Sequence, residues 1–228
     1  MFNDKLKASL VTLFTLTFSL FFLVANASAA DKKIGILVYD GVLTSDVTAP
    51  LEVFGVASRL TWFSDYEVVT LAVSDQKTIT TEEGLVLGVD AWIGDAPELD
   101  VLILTSSYDM DSLIENRKLI DYIESTAKQA EWMASNCSGA YLLAEAGVLK
   151  DKRATTWAGG EQDFQRDYPS VNVITDKNVV IDDKVITSNG SLVSYQAALK
   201  LLHLMRSSSK AQEVSDALQY SRFSVQSF

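Results

Sequence analysis

One cysteine and one histidine limit the chemistry open to this chain. Cys137 stands in "EWMASNCSGAYLLAEAGVL", between a short apolar run at 131–136 and an Ala/Leu-rich stretch at 138–146. The pattern predicts a strand, a sharp turn and a helix, with the thiol on the turn. Such a turn lifts a side chain out of the sheet, as a nucleophile elbow does. Free N–H groups and partial positive charge at the helix N-terminus favour thiolate over thiol. Ser138 and Gly139 let the backbone turn tightly, and their N–H groups could face a developing oxyanion. A small buried residue would leave the same trace, because free cysteine is among the most buried residue types. Position alone leaves both readings open.

His203 sits beside Leu201, Leu202 and Leu204 and reads as a packed helix residue, not a base. One cysteine and one histidine cannot assemble a site needing several such ligands, so a zinc site is not expected; no other metal and no cofactor is expected either. A lone cysteine also forbids an intramolecular disulfide.

The elements that must position the thiol follow from the hydrophobic pattern. "KIGILVY" (33–39), "YEVVTLAVS" (66–74) and "DVLILT" (100–105) predict buried strands. Helices are expected over 47–60, 111–130, 138–146, 191–209 and 210–221. Pro50 would fall in the first turn of the first helix. Asp111-Ser112 would cap the second, and Gly147 would end the third. Hairpins are expected at 77–90, around Glu83-Gly84, and at 178–188, turning at Asp182-Asp183. Strands alternating with helices argue an α/β fold, a mostly parallel sheet with helices on both faces. Ligands of such sheets bind beyond the carboxyl ends of the strands, where Cys137 falls. Trp62, Trp92 and Trp132 are read as packing residues.

Residues 1–29 read separately from the domain at 30–228. Lys5 and Lys7 precede an apolar run to Ala25, which ends in Ala27-Ser28-Ala29. That is the layout of a secretory signal peptide cleaved after Ala29, the other reading being an uncleaved N-terminal anchor. It predicts a periplasmic or secreted protein, with no stable membrane association once the leader is removed. The formal net charge is −11, and no basic stripe interrupts it. Nucleic acid is therefore not an expected partner.

Three stretches resemble the ThiJ/PfpI superfamily, nearest to isonitrile hydratase-like proteins and the sensing domains of AraC-type regulators. "KIGILVYDGVLTSDVTAPLEVFGVAS" resembles its opening strand, loop and D-x-x-G-P-x-x-V-F helix. "NCSGAYLLAEAGVLKDKRATTW" resembles its cysteine turn, and "VNVITDKNVVIDDKVITSNGSLVSYQAALKLLHL" its late hairpin and helix. The resemblance implies a flavodoxin-like three-layer sandwich, as in class I glutamine amidotransferases, with Cys137 as nucleophile. It implies that Asp46, opening the first helix, approaches the thiol as acid/base; a plain helix N-cap is the other reading of Asp46. The superfamily's Pro-Gly-Gly is replaced by Thr105-Ser106-Ser107-Tyr108, so oxyanion contacts fall to Ser106 or Ser107, with Ser138 and Gly139. Its A-T-T-H histidine is replaced by Trp157, which removes the Cys-His dyad of peptidase-type members. Trp157 and Tyr108 would wall a small apolar pocket. The implied function is a small-molecule hydratase or hydrolase, the alternative a ligand-binding or redox-sensing domain. A homodimer with a small-molecule substrate or ligand is expected by the same resemblance. No room is left after the last helices for a helix-turn-helix module.

Overall fold

The computed structural model describes residues 32–60 and 66–222. The expected leader and Trp62 lie outside them. Continuous apolar runs become the buried strands of a seven-stranded sheet, ordered β10-β11-β7-β6-β1-β2-β5. Inside it lies β1 (Lys32–Val38), flanked by β2 (Tyr66–Ala72) and by β6 (Val101–Leu104), the middle strand of the seven. Next to β6 lies β7 (Trp132–Asn136), then β11 (Val185–Ser188), all parallel. The edges are β5 (Ala91–Trp92) and β10 (Val179–Asp182); only β10 runs antiparallel. Helices flank this sheet, as the alternation requires. Residues of β6 and β11 are buried throughout, which accounts for their lack of polar alternation.

Two small ladders stand beside the sheet. β3 (Thr78–Thr80) and β4 (Val86–Gly88) form the expected antiparallel hairpin. β8 (Arg153–Ala154) pairs in parallel with β9 (Asn172–Val173). The β10–β11 hairpin turns through Asp183, whose φ of 53° is left-handed.

The helices depart from expectation at their ends. α1 (Thr44–Arg59) starts three residues early, so Pro50 lies inside it and not in its first turn. The helix expected over 111–130 is split into α2 (Asp111–Ile114) and α3 (Arg117–Gln129). Asn116 breaks it: its side chain accepts the Leu119 N–H at 3.3 Å and caps α3. Asp111 and Ser112 are not caps; Asp109 accepts the Asp111 N–H. α4 (Gly139–Glu145) ends as expected, with Gly147 at φ +72°. The Gly147 N–H reaches the Ala144 carbonyl and the Val148 N–H the Leu143 carbonyl, a Schellman pair. α5 (Glu161–Asp167) follows β8. The long helix expected at 191–209 is α6 (Val193–Met205); Ser207 then caps α7 (Ser208–Ala217) by accepting the Lys210 N–H.

Candidate active site at the cysteine turn

Cys137 immediately follows β7 and has φ +51°, the left-handed region that non-glycine residues seldom occupy. Such a conformation costs of order 1–3 kcal/mol and persists where its surroundings impose it. Here the Cys137 N–H donates to the Ser188 carbonyl at 2.9 Å, and its carbonyl accepts the Thr156 hydroxyl at 3.0 Å. Two glycines make room. A Cβ on Gly139 would lie 2.4 Å from the Leu104 carbonyl oxygen, so α4 starts hard against the end of β6. A Cβ on Gly190, at φ +79°, would lie 2.4 Å from Cys137 Cβ and 3.2 Å from Asp46 Oδ1. Cys137 and Asp46 therefore both border one glycine that cannot be enlarged.

Asp46 is the third residue of α1 and is fully buried. It is not the N-cap; that position is Leu43, which offers no side-chain acceptor. Glu83, from the β3–β4 hairpin, instead accepts the Thr44 N–H at 3.0 Å and the Thr44 hydroxyl at 2.6 Å. The Asp46 carboxylate accepts the Ser106 hydroxyl on Oδ2, and the Ser191 N–H (3.0 Å) and Ser194 hydroxyl (2.8 Å) on Oδ1. Burial pushes its pKa up, and the donors from Ser106, Ser194 and Ser191 offset this only in part.

The thiol behaves differently from the expectation at a helix N-terminus. Burial pushes the Cys137 pKa up, Ser106 and Ser138 pull it down, and the Asp46 charge raises it further. α4 has only seven residues, and burial is the largest influence on the thiol. The resting state is a protonated thiol beside a carboxyl group that also holds its proton more tightly than usual.

The oxyanion expectations divide. The Ser106 hydroxyl is committed to Asp46, and its carbonyl accepts the Leu43 N–H at 2.9 Å. Ser106 thus supports the acid instead of facing an oxyanion. The Ser138 hydroxyl donates to the Ser107 carbonyl at 3.0 Å, bracing the two loops beside the thiol. Neither Ser106 nor Ser107 has a positive φ, so this backbone path does not need the glycine pair. Gly139 is a close-packing position.

A cavity of about 890 Å³ opens over the thiol, with Cys137, Ser138 and Ser107 at its floor and Tyr108, Trp157 and Tyr141 among its walls. Tyr108 is 81% exposed and Trp157 40%, so both stand at the mouth. Gly160 makes space for the Trp157 indole, which a Cβ there would meet at 2.1 Å. Among the described residues, Asp111 is the only charged one in the lining, and none there is a cation. His203 lies on the exposed side of α6, neither packed as expected nor part of the lining. Sequence reasoning missed Gly190, Ser191 and Ser194. The signal was present: a serine on the buried face of an amphipathic helix, preceded by "SNGS" at a strand-to-helix turn.

Comparison with known proteins agrees with this geometry. The sequence profile of the DJ-1/PfpI family matches residues 32–204. The chain belongs to the DJ-1/PfpI family. Among its DJ-1/PfpI relatives, an isonitrile hydratase from Pseudomonas putida is 32% identical over 190 residues, covering 82% of this chain and 78% of that protein. The transcriptional regulator GbdR from Pseudomonas aeruginosa is 22% identical over 191 residues, covering 84% of this chain but only 51% of the regulator. The DJ-1/PfpI fold is matched by a ThiJ/PfpI family protein from Pseudomonas syringae, with TM-score 0.76 at 23% identity over 87% of this chain and 78% of that one. Drosophila melanogaster DJ-1beta gives TM-score 0.72 at 20% identity over 83% and 98%.

Proposed function

We propose that this chain is an exported hydratase that uses Cys137 and Asp46 to add water to a small, neutral isonitrile-type substrate, and that it works as a homodimer. The observation that carries this reading is the thiol at a left-handed turn, open to a cavity on one side and bordered by the buried Asp46 on the other. The likeness to the Pseudomonas putida isonitrile hydratase supports the reaction class. A cavity lined without any cation suits an uncharged molecule better than a carboxylate or phosphate.

A protonated thiol suits this chemistry. The Cys137 sulfur bonds to the terminal carbon of the isonitrile, and the thiol proton, relayed by Asp46, ends on that carbon. The product is a thioimidate. Asp46 then takes a proton from water as the water oxygen adds to the same carbon, and the nitrogen receives that proton. Breaking the C–S bond returns the proton of the new hydroxyl to sulfur and releases an N-substituted formamide. A raised thiol pKa weighs against redox sensing, which relies on a standing thiolate.

The test is incubation with a small alkyl isonitrile, following loss of its N≡C stretch by infrared and appearance of the formyl proton by NMR. Turnover that disappears in Cys137→Ala is expected. Saturable binding of the isonitrile without formamide formation would overturn the hydratase reading. It would favour the ligand-sensing role that the likeness to GbdR supports.

A further inference from the structure

Pro50 creates a local problem in α1 that falls on the acid residue itself. Proline has no N–H, so the carbonyl four residues earlier loses its helical donor. That carbonyl belongs to Asp46. It is buried, and a buried carbonyl without a partner costs free energy comparable to a lost hydrogen bond. The missing donor comes from another element. Asn136, the last residue of β7, donates from Nδ2 to the Asp46 carbonyl at 3.3 Å. Its Oδ1 accepts the Ser188 hydroxyl at 2.7 Å, and Ser188 Oγ in turn accepts the Gly190 N–H at 3.2 Å. Asn136 is 3% exposed and Ser188 fully buried, so neither can trade these partners for bulk water.

We infer that Asn136 is a positioning residue that fills the hydrogen-bond vacancy left by Pro50 and so holds Asp46, Cys137 and the Gly190 turn in one register. The geometry gives it three points of attachment. It precedes the cysteine in the chain, fixes the main chain of the acid through space, and reaches the wedge glycine through Ser188. In a helix without the proline the bond to the Asp46 carbonyl would be redundant, because residue 50 would supply the N–H itself, and only the link to Ser188 would remain. The importance of Asn136 is therefore conditional on Pro50, and the condition can be tested.

The inference rests on the pairing of Asp46 with Cys137, so its readout must not depend on isonitrile turnover. The experiment is a mutant cycle of Asn136→Ala and Pro50→Ala, measuring the pH profile of Cys137 alkylation by iodoacetamide and, where formamide is formed, kcat and KM. In the Pro50 background, Asn136→Ala should lower kcat about tenfold or more, with a smaller change in KM, because small displacements of a reacting group have effects of this size. The alkylation midpoint should move down toward that of an ordinary thiol as the Asp46 charge shifts away or becomes hydrated. In the Pro50→Ala background the same Asn136→Ala change should move both readouts clearly less, because only the link to Ser188 is then lost. An equal effect of Asn136→Ala in both backgrounds, or none in either, overturns the inference. If Asn136→Ala alone does not fold, the Pro50→Ala/Asn136→Ala variant still decides: its recovery of folding shows the dependence on Pro50, and its failure to fold overturns the inference. If no variant forms formamide, the hydratase reading fails while the alkylation cycle still tests Asn136.

Discussion

At the residue scale, Asp46 is a buried carboxyl group whose partners are all donors. Its pKa is raised by burial, so the folded state binds its proton more tightly than the unfolded chain does. The stability this provides is complete below the unfolded value of 3.8 and is lost as pH rises through the folded value. Ionising this buried carboxyl is thus a net burden on the fold. Asp46→Asn keeps an acceptor for Ser191 and Ser194 and offers Nδ2 to the Ser106 oxygen. It should therefore be as stable as the wild type or more so at pH 7, measured by urea denaturation, while formamide production falls at least about a hundredfold. As the pH is lowered toward 4, the wild type should gain stability relative to the variant. A variant that is less stable at every pH would show that the carboxylate is held for structure. The partner thiol gives a second measurement. Burial and the Asp46 charge set the alkylation midpoint of Cys137 above the ordinary value of 9.0, and Asp46→Asn should bring it down. A wild-type midpoint below the ordinary value would contradict the protonated resting thiol. Family resemblance brought both residues into one expected site; the turn alone left Cys137 open between nucleophile and buried packing residue. Ser106 was singled out but for the oxyanion, and Ser191 and Ser194 were passed over although "SNGS" and a serine on a buried helix face marked them, because neither signal names a distant carboxylate as the partner.

At the scale of elements, the strand positions and both hairpins could be read from the chain because buried parallel strands leave uninterrupted apolar runs. Helix ends could not. The breaks at Asn116 and Ser207 depend on one side chain winning a backbone N–H from the next turn, a contest of about 1 kcal/mol that periodicity does not register. The start of α1 was misplaced for a related reason: its cap is supplied from outside the helix. Glu83 at the hairpin turn accepts both the N–H and the hydroxyl of Thr44, two residues before Asp46. These two bonds to Thr44 hold the Glu83 pKa below the usual range, so the interaction is present above pH 4.5 and is lost as pH falls through the lowered value. Glu83→Ala should lower stability by about 1 kcal/mol, the size of a lost helix cap, and Glu83→Gln by less. Because the hairpin clamps the helix that carries the acid, kcat should fall in Glu83→Ala more than KM changes. Unaltered stability and kcat in that variant would show that the hairpin does not serve α1.

At the scale of the whole molecule, the leader-like sequence at 1–29 and the single thiol make linked demands. Export would bring Cys137 into an oxidising compartment with no second cysteine to protect it by pairing. A low-pKa thiolate there would pass through sulfenic to sulfinic acid, the last step being hard to reverse. The arrangement around Cys137 works against that fate. Burial and a neighbouring carboxyl keep sulfur protonated until a substrate enters, and thiols oxidise mainly through the thiolate. Nucleophilicity is then expressed only when the proton has somewhere to go, and an isonitrile carbon is such an acceptor. The acidic chain as a whole, at −11, repels anionic reactants as well. This argument yields one measurement on protein recovered from the periplasm of an expressing Gram-negative host. Intact mass spectrometry should show a chain beginning at Ala30, carrying no added oxygen on Cys137 and one free thiol per chain. Light scattering on the same sample should give twice the chain mass. A retained leader would overturn export, and a predominantly sulfinic Cys137 would return the molecule to the redox-sensing reading.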